Sequence, residues 1–454
     1  MIKISIPSNN IPERKYILDI FFNEFLGLSY RIVENTDIKN WEIELENGSK
    51  LIIEDHFFYK YPKDLEYLKL ENIPSKVEYI ENKFTPEDDI PIIYGNSKLE
   101  LQNDKIICGI DIFASSFFML TRWEEYVNKN RDSHNRFPAT QSLAFNNNFL
   151  DRPVVNEYIE MLKSMMLYLD GTLKFKQKQP KTFISCDVDT PYEAYTQSLQ
   201  KTIRKFGGDL IKRKSLSQGL QTLTNYTATK WGNYSHDPMN TFDWIMDVNE
   251  QVGNKVAFYF LVENTVPKYD AYYNINEPRI RQLMHTIHQR GHEIGLHGSY
   301  STYKNSNQLK VQITLLRKVL EMENIDQQEI GIRQHYLRWS TPETARFIDD
   351  AGLTYDTTLG YADHAGFRCG TCFSFPGFNL NTGEILKIRI KPLIAMDTTI
   401  FSQSYQNYSY EDGIKYMKVL KSNTQKVGGN FNLLWHNSTL VNTEQKNAYL
   451  NIIS

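Results

Sequence analysis

Hydrophobic and polar positions change rhythm near residue 180. Before it, short segments of two periodicities alternate. Residues 16–26 place Ile17, Ile20, Phe21 and Phe25 at helical spacing. Trp41, Ile43 and Leu45 alternate with Glu42 and Glu44, the period of a half-buried strand. Residues 50–53 read as its partner across the turn Asn47-Gly48. Residues 91–95 and 105–108 read as two more strands. Residues 111–126 form an apolar helix with a polar end, its stripe running through Phe113, Phe117, Leu120 and Trp123. Residues 154–169 form another helix, stopped before Gly171. This pattern predicts an α+β domain over residues 1–150, a helix and linker over 151–180, and a second domain over 181–454. The boundary is placed in the polar run 174–181.

The second domain opens on TFISCDVDTP, residues 182–191. Its short apolar run reads as a buried strand, which Pro191 ends by removing a ladder donor. Asp187 and Asp189 stand at its exit. Carboxylates there are costly unless paired, hydrogen-bonded or bound to a metal; a turn with two solvated acids is the bland alternative. Residues 256–262, VAFYFLV, read as a central buried strand, with further strands at 292–297 and 330–335. Helical patterns over 242–252, 277–290 and 309–322 separate them, and a helix opening at Thr341-Pro342-Glu343 ends at Gly352. Residues 201–214 carry six basic side chains and read as a solvated helix face, and residues 218–240 as polar and irregular. Repeated βα units indicate a parallel sheet or barrel, whose strand exits converge on one face. At those exits stand Asp187, Asp189, His297, Arg333, His335 and His436. A single histidine in such a place is ordinarily structural; six groups at equivalent places carry more weight.

Composition removes several classes of function. The chain has 454 residues, 41% hydrophobic and 23% charged, which excludes a disordered protein. A net charge of −3 gives no electrostatic reason to expect nucleic acid or an anionic membrane as partner. No apolar run reaches the length of a transmembrane segment. The N-terminus shows neither the apolar core nor the cleavage site of a signal peptide, so the expected location is the cytoplasm. Four cysteines in a chain this long imply no disulfide framework, and Cys369-Gly-Thr-Cys372 alone is a weak zinc signal.

From residue 181 onward the chain resembles the polysaccharide deacetylase family, carbohydrate esterase family 4 with its chitooligosaccharide-deacetylase-like domain. Cys186-Asp187-Val188-Asp189-Thr190-Pro191 is similar to its first motif, and Gly291-His292-Glu293-Ile294-Gly295-Leu296-His297 to the family's GHEIGNH. Gly331-Ile332-Arg333-Gln334-His335-Tyr336 matches its arginine motif and Leu434-Trp435-His436 its terminal leucine–histidine motif. Residues 1–150 resemble the N-terminal domain of a bacterial subgroup. The resemblance implies a distorted (β/α) barrel preceded by an α+β domain. It implies a hydrolase that removes acetyl groups from an acetylated sugar or polysaccharide, with a glycan as its partner and no nucleic acid. By the same resemblance Asp187 is the general base, Arg333 holds it ionised, and His436 is the general acid. Asp189 and His297 are ligands of a divalent metal, zinc in the family, and Tyr300, His335 and Trp435 contact substrate. One departure stands out: the family's second histidine ligand falls at Ser301, and a hydroxyl is a poor zinc ligand. The third place then belongs to His335 or His364, or there is no tight metal, as in allantoinase-like relatives. The alternatives are a metal-independent hydrolase of a non-sugar C–N bond and a non-catalytic glycan-binding relative.

Overall fold

The computed structural model describes residues 1–211, 214–270 and 273–454. The fold is mixed α/β, and contacts group the chain into two units. One consists of Met1–Lys181, Leu337–Ala395 and Val419–Asn432; the other consists of Thr182–Tyr336, Met396–Lys418 and Leu433–Ser454.

In the first unit, β1 (Ile2–Ile6), β2 (Tyr30–Glu34), β3 (Trp41–Glu44), β4 (Lys50–Ile53), β5 (Gly95–Leu101) and β6 (Lys105–Ile110) form a sheet ordered β2-β1-β3-β4-β6-β5. The expected hairpin is present: β3 and β4 pair antiparallel, and Gly48 takes a φ of +86° in the turn. β1 and β2 add to the sequence expectation. Ile2, Ile4 and Ile6 are buried and alternate with Lys3 and Ser5, a strand period in a run weighed only against a leader peptide. The helix expected over 111–126 divides into Ile112–Thr121 and Trp123–Val127, with Arg122 between them at φ +53°. From this break the buried Arg122 guanidinium donates to Glu124, Glu125 and the Tyr361 hydroxyl, and Arg368 donates to Glu125. Buried charges persist only when paired, and that demand overrides the helix period. Phe375–Asn379 and Glu384–Ile390, also unanticipated, pair antiparallel in the same unit. Against them the Tyr16 hydroxyl donates to the Pro376 carbonyl at 2.9 Å, and the Tyr16 ring lies 4.7 Å from that of Phe378.

The second unit follows the predicted βα rhythm. Its strands are β7 (Lys181–Val188), β8 (Val256–Leu261), β9 (Glu293–Gly298), β10 (Gly331–Gln334) and the end of β11 (Asn430–Leu434), ordered β10-β9-β8-β7-β11. β7, β8, β9 and β10 are parallel neighbours. All six residues of β8 are buried, as a central strand requires. Helices Phe242–Gln251, Pro278–Gln289 and Ser306–Met322 occupy the expected positions. Register aligns the chemistry: Asp187 lies opposite Tyr259, and His297 opposite Leu261 on one side and Arg333 on the other. Gly295 permits the close approach, since a Cβ there would meet the Tyr259 ring at 2.3 Å. Two helices, α1 (Leu199–Ile211) and α2 (Leu216–Lys230), follow β7. α2 replaces irregular chain expected from residue 218, and residues 212–213 of the expected basic helix lie outside the described residues.

Candidate active site

Asp189 follows β7, His297 is the penultimate residue of β9, and His335 directly follows β10. Parallel strands therefore deliver all three at their carboxyl ends. Asp189 Oδ1 lies 3.2 Å from His297 Nε2 and 3.6 Å from His335 Nε2. One ligand atom from each residue lies within 4.8 Å of the others, so this group could hold a metal ion. The opposite nitrogen of each ring is engaged. His297 Nδ1 is 2.8 Å from the Arg333 carbonyl oxygen, and His335 Nδ1 is 3.0 Å from Asp270 Oδ1. A carbonyl or an ionised carboxylate only accepts, so each Nδ1 carries a hydrogen, and each Nε2, when unprotonated, turns a lone pair toward Asp189. Asp189 Oδ1 is itself buried without a hydrogen-bond partner among the described residues. Three electron pairs facing one point repel unless a cation or added protons separate them. This carboxylate and two imidazoles fit a divalent cation.

The charges around these groups act in the same direction. Burial raises the Asp189 carboxyl, but His335, His297 and His436 outweigh it and hold it far below the usual carboxylate range. Burial opposes charge on His297, yet Asp187 and Asp189 raise its pKa. Asp270 supports His335. It accepts from the Thr265 hydroxyl at 2.7 Å and from the backbone N–H groups of Val266 at 2.9 Å and Tyr300 at 2.8 Å. Burial would raise its pKa, but His335, Thr265 and those backbone donors bring it down to about 2.

The acid and base candidates flank this group. Asp187 is 3% exposed; its Oδ2 lies 3.6 Å from His297 Nε2, and its Oδ1 is buried with no hydrogen-bond partner among the described residues. His436 Nε2 lies 3.7 Å from Asp189 Oδ2, and its Nδ1 lies 2.7 Å from Asp397 Oδ1. Asp397 also accepts from the His436 backbone N–H at 3.1 Å and from the Thr439 hydroxyl. Burial alone would lower the His436 pKa, but Asp397, then Asp189 and Asp187, raise it to about 10. Arg333 is fully buried and donates to Ser185 Oγ at 2.8 Å, and Ser185 Oγ donates to the Leu433 carbonyl at 3.2 Å.

The remaining sequence candidates separate. His335, expected either to contact substrate or to replace the missing second histidine ligand, stands with Asp189 and His297, its Nε2 3.6 Å from Asp189 Oδ1. Tyr300 stacks on Tyr269 with centroids 4.3 Å apart, and Tyr336 meets Tyr300 edge-on at 5.4 Å and the His335 ring at 4.7 Å. Trp435 is 2% exposed, packed against Phe401 at 5.7 Å and Tyr449 at 5.2 Å. Ser301 precedes the short turn Thr302–Lys304. His364 belongs to the first unit, where its Nδ1 lies 3.3 Å from Asp363 and its ring 4.6 Å from Phe145. Cys369 and Cys372 are buried free thiols, each pushed up to about 12, chiefly by burial. Sequence reasoning missed Asp270 and Asp397. Asp397 had a signal, the apolar run Ile394-Ala395-Met396 ending in an acid; Asp270 had none.

Residues 2–170 match the model of a family of unknown function, DUF7033. No curated protein matches the chain. Among solved structures, a Mycobacterium smegmatis protein assigned as a polysaccharide deacetylase is 12% identical, with TM-score 0.39, over 61% of this chain and 84% of its own. A Puue allantoinase is 14% identical, with TM-score 0.37, over 61% and 83%. A Pseudomonas aeruginosa PAO1 protein, also assigned as a polysaccharide deacetylase, is 14% identical, with TM-score 0.34, over 60% and 83%.

Proposed function

We propose that this chain is a metal-assisted hydrolase that removes acetyl groups from an N- or O-acetylated sugar or polysaccharide. The observation that carries the reading is the meeting of Asp189, His297 and His335, both imidazoles presenting Nε2, beside an Asp187 oxygen unbonded among the described residues and the Asp397-bound His436. The motif resemblance at residues 187–189, 291–297 and 434–436 supports the substrate class. Asp189, His297 and His335 would hold the ion, with zinc the expected metal. Bound there, a divalent ion supplies polarisation of an acyl carbonyl and acidification of water.

The chain's own groups do the rest. Asp187 Oδ1, which no donor among the described residues satisfies, takes the proton of the attacking water. His436 carries its proton on Nε2 and gives it to the departing amine or alkoxide as the acyl bond breaks. The products are acetate and the free amine or hydroxyl. Asp397 keeps His436 oriented and protonated, and Asp270 does the orienting at His335.

The test pairs metal analysis of purified protein with acetate release from acetylated glycans. About one bound divalent ion and metal-dependent acetate release are expected. Asp187→Asn should lower turnover about 10²–10⁴-fold while the protein still folds and binds metal. Full activity in metal-free protein would instead point to metal-independent hydrolysis of a non-sugar amide.

A further inference from the structure

The hairpin of α1 and α2 is amphipathic in the inverted sense. Its polar residues face inward: Thr202, Asp209, Thr222 and Asn225 are buried. The Thr222 hydroxyl donates to Asp209 at 2.9 Å, Asn225 Nδ2 to Glu193 at 3.4 Å, and the Lys205 ammonium binds Glu193. The helices meet through Gly219, where a Cβ would lie 3.0 Å from the Phe206 ring. These bonds fix which faces are turned out, and on those faces large apolar side chains stand exposed among polar ones such as Gln221 and Thr224. Ile203, Ile211, Leu216, Leu220 and Leu223 are exposed, Ile211 at 78% and Leu216 at 62%. Residues 216, 220 and 223 stand on one helical stripe. Trp231, just past α2, is 90% exposed. Helices on water normally do the reverse, and a contiguous apolar surface marks a docking site.

Charge says what docks. Among the described residues between Leu199 and Lys230, five are Lys or Arg and one is acidic, in a chain whose net charge is −3. Lys201, Arg204, Lys214 and Lys230 are exposed on the same hairpin. Apolar side chains and a tryptophan accompanied by basic residues match the interface of a bilayer with anionic headgroups. A second copy fits poorly, because a two-fold pairing would bring like charges together. At 13 and 15 residues the helices are too short to span a bilayer, and no described helix is long and apolar enough to do so. We propose that the α1–α2 hairpin lies on an anionic lipid surface, with its leucines, isoleucines and Trp231 in the headgroup region.

The test is co-sedimentation of the full chain with vesicles of phosphatidylcholine alone and of phosphatidylcholine with phosphatidylglycerol. Binding to the anionic vesicles, weakened by salt, with a blue-shifted tryptophan emission lost in Trp231→Phe, is the expected result. Lys201→Glu with Arg204→Glu should weaken binding roughly 10- to 30-fold. Ile203→Ser with Leu220→Ser should abolish it. All four side chains are exposed, so both variants should keep the wild-type melting temperature and acetate release. Equal binding to neutral vesicles, or none to either, would overturn the assignment. So would self-association of the wild type that the serine variant removes without any vesicle binding. If a variant fails to fold, the wild-type comparison of the two vesicle types still decides.

Discussion

His335 presents Nε2 to Asp189 because Asp270 takes the hydrogen on Nδ1, and His436 stays protonated because Asp397 does the same for it. Each of these carboxylates can be removed without touching a ligand. Asp270→Asn should weaken metal affinity about 10–100-fold, read by competition with a chromophoric chelator. If His335 takes the third ligand place, as proposed, His335→Ala should empty the site, whereas Ser301→His should leave affinity near wild type. Metal loss in His335→Ala no greater than in Asp270→Asn would argue against His335 as a ligand. Asp397→Asn acts on pH. As the proposed acid, His436 would work only when protonated, and Asp397 is the main cause of its raised pKa of about 10. Removing that charge lowers the pKa, so the basic limb of the pH–activity profile should move to lower pH while the acidic limb stays. At this scale the sequence showed Asp187, Asp189, His297 and His436, since each ends a strand whose hydrophobicity is visible. His335 was visible but not its partner. Asp270 lies in loop, where no periodicity locates a residue, and its place follows from bonds to Thr265, Val266, Tyr300 and His335.

Strands carry these residues to one end, and their spacing depends on small side chains. The Tyr259 ring occupies the space above Gly295, and Gly298 faces Gln334 and Thr302 at 2.7 and 2.8 Å from a would-be Cβ. Gly295→Ala should cost about 1–3 kcal/mol through overpacking and displace His297 two residues on. The expected readout is a lower melting temperature together with weaker metal binding; an unchanged melt would refute the contact. The βα rhythm was legible because buried parallel strands are continuous apolar runs and glycines such as Gly253 and Gly291 end the helices. The elements missed obey other rules. Arg122 breaks a helix to satisfy buried carboxylates, and α2 hides among threonines and glutamines because its leucines face outward.

The units are not consecutive in sequence, and a boundary near residue 180 describes only the first crossing between them. Residues 1–181 need the 337–395 segment of their own unit. Tyr16 packs on Phe378, Phe25 on Phe373 at 5.0 Å, Arg389 binds Glu24 at 2.9 Å, and Glu125 holds Arg368. A fragment of residues 1–181 leaves these apolar faces open and Glu125 short of one buried partner, a loss of about 3–5 kcal/mol for the ion pair alone. It should show no cooperative thermal transition, while the full chain should. A sharp melt of the fragment would show that the N-terminal segment is self-sufficient. Hydrophobic pattern cannot reveal such interleaving, because it reports which face of an element is buried and not which distant segment buries it.

The interleaving also sets a timetable on the ribosome. The first unit awaits residue 432 and the second residues beyond it, so both finish nearly together. At about 5–20 residues per second, some 250 residues of synthesis separate Lys181 from that point, a wait of roughly 10–50 s. Until residues 373–390 are made, the faces of Tyr16, Phe25 and Phe117 lack the segment that covers them, so the nascent chain shows apolar surface of the kind that chaperones hold.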